Sequence, residues 1–115
     1  MSTPKEQVIQ LVNLIPKDKV STYGEIAKQI KDHKISAQMV GWILSGMKVE
    51  EWDLCPWYRV VNKQGFISAL KLGSKGMIQK QILLGEGYTL VEDFVDMSTH
   101  FWSFGDSNEP KDLFA

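Results

Sequence analysis

Val8, Leu11, Val12 and Ile15 recur at helical spacing behind Thr3 and Pro4, a capping residue followed by one suited to a first helical turn. They predict a helix from Pro4 to about Leu14, stopped near Pro16. Lys17-Asp18-Lys19 is a polar turn. Thr22 and Glu25 then have the spacing of a capping box, opening a second short helix to about Ile30. After the polar turn Lys31-Asp32-His33-Lys34, Ser36 caps a third helix with Met39, Val40, Ile43, Leu44 and Met47 as its apolar stripe, ending around Gly46.

The pattern changes after the polar segment around Glu50, Glu51 and Asp53. Pro56 fixes a turn, and Val60-Val61 and Phe66-Ile67 flank Asn62-Lys63-Gln64-Gly65 as a small hairpin. A loop containing Gly73, Ser74, Lys75 and Gly76 precedes a helix over Met77–Leu84, stopped by Gly85-Glu86-Gly87. Residues 1–90 read as one domain. Residues 91–115 read as an acidic tail whose Phe94, Phe101, Trp102 and Phe104 dock part of it on the body.

Composition narrows the class without naming a function. A chain of 115 residues, 43% hydrophobic and 23% charged, has enough apolar material for a single core. No apolar run is long enough to span a membrane, and the first residues show no leader pattern. Cys55 is the only cysteine, which excludes an intrachain disulfide and a cysteine-based zinc site. The expectation is an intracellular monomer without cofactor or metal.

The net charge of −1 conceals an asymmetry. Residues 1–87 hold 12 Lys/Arg against 8 Asp/Glu, whereas residues 88–115 hold Lys111 against Glu92, Asp93, Asp96, Asp106, Glu109 and Asp112. A mildly basic body suits a phosphate backbone, with the acidic tail held away from it. The second and third helices, joined by a polar turn, read as helix-turn-helix, a geometry that also serves purely structural ends. Ser36, Ala37 and Gly41 are small enough for the helix backbone to approach a partner closely, or for tight internal packing; residue type does not separate the two.

Four motifs in order carry a resemblance. Ile15-Pro16-Lys17-Asp18-Lys19-Val20-Ser21-Thr22-Tyr23-Gly24-Glu25-Ile26-Ala27 resembles the segment before the helix-turn-helix of the O6-alkylguanine-DNA alkyltransferases. Ala37-Gln38-Met39-Val40-Gly41 falls at that family's recognition helix, Ala-Arg-x-Val-Gly. Pro56-Trp57-Tyr58-Arg59-Val60 is similar to its active-site motif Pro-Cys-His-Arg-Val, and Glu86-Gly87 to its terminal Glu-Gly. The resemblance covers roughly residues 8–90 and implies a mainly α fold with a short β-hairpin, a winged helix-turn-helix DNA-binding domain of the alkyltransferase type.

At the centre of the motif Trp57 stands where those enzymes carry the alkyl-accepting cysteine, and Tyr58 where they carry the histidine. An indole cannot accept an alkyl group, and a phenol of pKa about 10 is a poor base near neutrality. The pattern is similar to the alkyltransferase-like proteins. By resemblance these bind O6-alkylguanine in double-stranded DNA through the minor groove, flip the lesion, and pass it to nucleotide excision repair proteins. The compartment implied is the cytoplasm of a bacterium or the nucleus of a eukaryote.

The resemblance assigns Tyr23, Ser36, Ala37, Gln38 and Gly41 to DNA, with Tyr23 at the 3′ phosphate of the flipped nucleotide. Pro56, Trp57, Tyr58, Arg59, Lys71 and Glu86 are assigned to the lesion pocket. Arg59 and Glu86 read equally well as a plain salt bridge shaping it. Three positions depart from the family: Gln38 replaces an arginine finger, Met39 and Trp42 bring bulk to the recognition helix, and Lys71 replaces a base-reading arginine. Two other readings stay open: an interaction module that has lost DNA binding, and a thiol alkyl acceptor using Cys55, which otherwise reads as a buried small hydrophobe.

Overall fold

The computed structural model describes residues 3–104. Local signals at the first three helices act as expected. In α1 (Pro4–Val12) the Thr3 hydroxyl accepts from the Glu6 amide while Glu6 accepts from the Thr3 amide, at 3.1 and 2.8 Å. The helix stops two residues before its predicted end at Leu14, where Asn13 Nδ2 donates to the carbonyls of Ile9 and Leu54. In α2 (Tyr23–Gln29) the Thr22 hydroxyl accepts from the Glu25 amide, but Glu25 turns its carboxylate to Lys28. Ser36 caps α3 (Ala37–Ser45) by accepting from the Met39 amide.

These three helices close around Val8, Leu11, Val12, Ile26, Val40 and Leu44, all buried. Trp57 and Val60 complete that cluster from the turn that follows. Residues 49–54 and 57–59 form short 3-10 turns on either side of Cys55-Pro56.

The predicted hairpin of 60–61 with 66–67 does not form. Val60–Val61 (β2) instead pairs in parallel with Ser21–Thr22 (β1), Ser21 opposite Val60 and Thr22 opposite Val61. Both valines are buried, so this strand needs cover on each face, which a two-residue hairpin arm does not supply. The turn itself is real: the Asn62 amide donates to the Phe66 carbonyl at 3.1 Å, and Gly65 takes φ +91°. Beyond it, Phe66 and Ile67 turn to residues 93–94. The antiparallel hairpin lies there, between β3 (Leu90–Val91) and β4 (Phe94–Val95).

After a 3-10 turn at Ser68–Leu72, α4 (Ser74–Gly85) starts three residues before its predicted beginning at Met77. Gly76 lies inside the helix where it crosses that turn. A Cβ on Gly76 would sit 2.2 Å from the Leu70 amide nitrogen. Buried Gln79 donates to the carbonyls of both Tyr58 and Val60 at 3.0 Å, fastening α4 behind the Trp57 turn.

Residues 97–104 return to the body. Asp96 caps the four-residue helix α5 (Met97–His100), and buried His100 accepts from the Thr89 amide through Nε2 while Nδ1 faces the Asp18 carbonyl at 2.8 Å. Val20 and Trp102 continue the exchange of backbone hydrogen bonds, and Phe104 is buried in the main core. The tail residues Asp106, Glu109, Lys111 and Asp112 lie outside the described residues. No helix among the described residues is long and apolar enough to cross a membrane.

Candidate nucleic-acid interface

A cleft of about 380 Å³ opens between α3 and the segment from Ser68 to Lys75, with Trp57 and Val60 beneath it. Its position follows from the Pro56 turn. The Trp57 amide donates to the Cys55 carbonyl at 2.8 Å and the Arg59 amide to the Pro56 carbonyl at 3.0 Å, so the chain coils tightly. Three residues per turn send successive side chains in different directions. Trp57 points into the core side of the cleft, 4% exposed, with Trp52 tilted against it at 5.0 Å and Tyr58 edge-on at 5.9 Å.

Of the residues assigned from sequence, Tyr23, Ala37, Gln38, Gly41, Trp57 and Lys71 share this one cleft. Tyr23, at the start of α2, accepts a hydrogen bond from the Ser68 hydroxyl at 3.3 Å, and burial holds its phenol above its ordinary pKa. Ala37 and Gln38 are exposed along the same rim. An added Cβ on Gly41 would meet only Tyr23 ring carbons, at 3.8 Å, an ordinary contact. Internal packing therefore does not demand glycine there. Ser36 acts as the α3 cap and is absent from the cleft wall.

Pro56, Tyr58, Arg59 and Glu86 do not join Trp57 in the cleft. Pro56 and Tyr58 border a separate cavity of about 300 Å³, with Asn13, Trp52, Asp53 and Cys55. Arg59 donates to the Ile15 carbonyl at 3.1 Å and approaches Glu86 at 3.7 Å, while the Tyr58 hydroxyl donates to Glu86 at 3.2 Å. The ion-pair reading of Arg59 and Glu86 matches this geometry, behind the cleft rather than in it. Burial, then the Glu86 carboxylate, raise the Tyr58 phenol above its ordinary pKa.

Cys55 is 3% exposed, and burial pushes its thiol up to about 11. At neutral pH it is almost wholly the unreactive thiol. It also faces the second cavity and not the cleft. Among the described residues no group of three or more His, Cys, Asp or Glu is placed to hold a metal ion.

Sequence reasoning missed Ser68, Lys75 and Gln79 as parts of the site, and took Trp42 only as bulk. Trp42 is 62% exposed on α3, one turn beyond Gln38, and lines the cleft. Lys75 lies with its ammonium 4.7 Å from the centre of the Trp57 ring and donates to the Leu44 carbonyl. The only available signal for Lys75 was an earlier start to α4, and Gly73-Ser74-Lys75-Gly76 hides that start. The lining contains Lys71 and Lys75 and no carboxylate. Aromatic floor, amide and hydroxyl rim, and unopposed cations together suit a flat, electron-rich guest attached to a polyanion.

Comparison with known proteins points the same way. The family model for the 6-O-methylguanine DNA methyltransferase DNA binding domain matches residues 3–88. A DNA base-flipping protein of Vibrio parahaemolyticus (serotype O3:K6, strain AQ3810) is 44% identical over 86 residues, covering 75% of this chain and 81% of that protein. Alkyltransferase-like protein 1 of Schizosaccharomyces pombe (strain 972) is 35% identical over 86 residues, covering 75% of this chain and 77% of that one. The fold is similar to the crystal structure of S. pombe Atl1 in complex with damaged DNA containing O6-carboxymethylguanine. That match has a TM-score of 0.72 at 29% identity and covers 90% of this chain and 99% of the other.

Proposed function

Since the chain belongs to the 6-O-methylguanine DNA methyltransferase DNA-binding-domain family, within its alkyltransferase-like branch, we propose that it is a non-enzymatic sensor of O6-alkylguanine in duplex DNA. On this reading α3 enters the minor groove, the damaged nucleotide turns out of the stack into the Trp57 cleft, and the complex directs the lesion to nucleotide excision repair. The observation that carries it is the indole of Trp57 at the floor of an open cleft, at the place where the motif resemblance puts the family's nucleophile. Its volume lies within the roughly 300–1,000 Å³ of sites for small organic groups.

A flipped purine needs an apolar face, a partner for its edge, and a group to hold the gap it leaves. Trp57 supplies the first, and Ser68 and Lys71 line the wall where an edge would lie. Tyr23 meets the phosphate of the rotated nucleotide. Gln38 offers its amide to the orphaned base, with less reach than arginine and no charge.

Binding without transfer has a direct check. Neither this protein nor its Trp57→Cys variant is expected to gain alkyl mass after incubation with methylated or benzylated guanine in duplex DNA. Restoring the sulfur leaves Tyr58 as the only neighbour in the position of the base, and its hydroxyl already donates to Glu86. Intact-mass spectrometry reads the outcome. A stoichiometric adduct on Cys55 would make the thiol-acceptor reading correct; one on Cys introduced at 57 would refute this account of the missing proton path.

DNA entry by α3 is tested at Gln38 and Tyr23 in gel-shift titrations against lesion-bearing and plain duplexes. Gln38→Arg is expected to tighten binding to both, and one added phosphate contact steepens the salt dependence of log K by up to about 0.9. Tyr23→Phe keeps the ring and costs little; Tyr23→Ala removes both the steric push on the nucleotide and the hydroxyl, and weakens lesion binding. If Gln38→Arg and Tyr23→Ala both leave DNA binding unchanged, α3 does not enter the groove and the interaction-module reading replaces this one.

A further inference from the structure

Lys75 occupies an unusual place for a lysine. It sits in the first turn of α4, where helix and cleft wall meet, and its ammonium lies over two indoles, 4.7 Å from the Trp57 ring centre and 5.7 Å from that of Trp52. It has one hydrogen-bond partner in place, the Leu44 carbonyl, and makes no ion pair with a carboxylate among the described residues. An ammonium has three N–H donors, so two remain to be met by water or by a guest. Burial holds its pKa below the ordinary lysine value, the sign of a cation short of compensation.

Lys71, the other cation of the cleft, differs in kind. It is exposed at the rim, with its ammonium 5.5 Å from the Phe66 ring centre, on the wall that meets the edge of a flipped base and not its O6 substituent. The ammonium of Lys75 faces the floor, where a group carried on O6 of a flipped guanine comes to rest against Trp57. A neutral alkyl group there covers the two remaining donors without satisfying them. A group ending in a carboxylate accepts both and compensates a charge that the guest would otherwise bury alone.

We propose that Lys75 is a specificity-determining residue of the cleft, which selects O6-guanine substituents that end in a carboxylate over neutral ones of the same size. The proposal rests on the lesion-sensor reading above and adds to it the chemical class of the preferred lesion. Cation and indole act together: the ring holds the methylene of the substituent, and the ammonium holds its oxygens.

The experiment compares three duplexes of identical sequence by fluorescence anisotropy at fixed salt: one with O6-carboxymethylguanine, one with the neutral isostere O6-carbamoylmethylguanine, and one unmodified. The protein is expected to bind the carboxymethyl duplex at least about tenfold more tightly than the carbamoylmethyl one, the scale of one hydrogen bond between charged partners. In Lys75→Met, which keeps the apolar stem over Trp57, that ratio falls to about one; Lys75→Arg retains it. Lys71→Met weakens both modified duplexes together and leaves the ratio intact. A ratio near one in the unsubstituted protein overturns the proposal without any variant having to fold. A ratio that survives Lys75→Met, or collapses in Lys71→Met instead, overturns it as well. Equal affinity for all three duplexes overturns both the proposal and the lesion-sensor reading, whereas both modified duplexes binding equally and above the unmodified one overturns the proposal alone.

Discussion

Trp57→Ala is expected to destabilise the protein by about 3–5 kcal/mol and to abolish discrimination between lesion and plain duplex. Trp57 is 4% exposed and touches both the helical core and the cleft. Its removal leaves a hole bounded by Trp52, Tyr58 and Lys75, none of which can collapse into it while each is held by its own partner: Trp52 to the Met47 carbonyl, Tyr58 to Glu86, Lys75 to the Leu44 carbonyl. A loss of this size is a large share of the roughly 5–15 kcal/mol that holds a typical domain together. Trp57→Phe keeps an aromatic face and should cost about half as much, with partial discrimination retained. Chemical denaturation checks the first part, as a lower midpoint at unchanged slope. A cost below about 1 kcal/mol would show that the indole is not packed as described.

Gly76→Ala is expected to cost about 3 kcal/mol, the upper end for overpacking, because the obstruction is backbone and not a movable side chain. The new Cβ would lie 2.2, 2.3 and 2.4 Å from Leu70 N, Leu70 Cα and Ala69 C. Relief requires the Ser68–Leu72 turn to move away from α4, and that turn carries the cleft residues Ser68, Ala69 and Lys71. DNA affinity should therefore fall along with stability. Gly85→Ala, in the same helix and with nothing within 4 Å of the place its new Cβ would take, is the control. It is expected to be neutral or stabilising by up to about 1 kcal/mol. Thermal or urea melts of the two variants separate a clash from the general effect of removing a glycine. Equal stability of both would mean that α4 and the turn are not in contact.

The order of helices was legible in the sequence because each start is decided within four residues. Thr3, Thr22 and Ser36 each bond an amide three positions on, whatever the rest of the chain does. The apolar stripe of α1 is equally local, since neighbours on a helix face are three or four residues apart. The Asn62–Gly65 turn was recognised for the same reason. The family was legible too, from four motifs in order, of which the Trp57 segment is one.

Tertiary structure alone decided what pairs with what. Val60 and Val61 have an adjacent partner in Phe66-Ile67 by sequence, but burial on both faces sends them to Ser21 and Thr22, some 39 residues away. Gly76 reads as a loop glycine until the Leu70 backbone is seen pressing on the helix. Tyr58 and Arg59 share a motif with Trp57, yet a 3-10 turn directs them to Glu86 behind the cleft, while Lys75, outside every motif, is carried over the indole by α4. Sequence by itself determined the helix starts and the chemistry at position 57, which depend on a few neighbouring residues. The direction of each side chain, and so the membership of the cleft, depended on contacts between segments far apart in the chain, which no local pattern encodes.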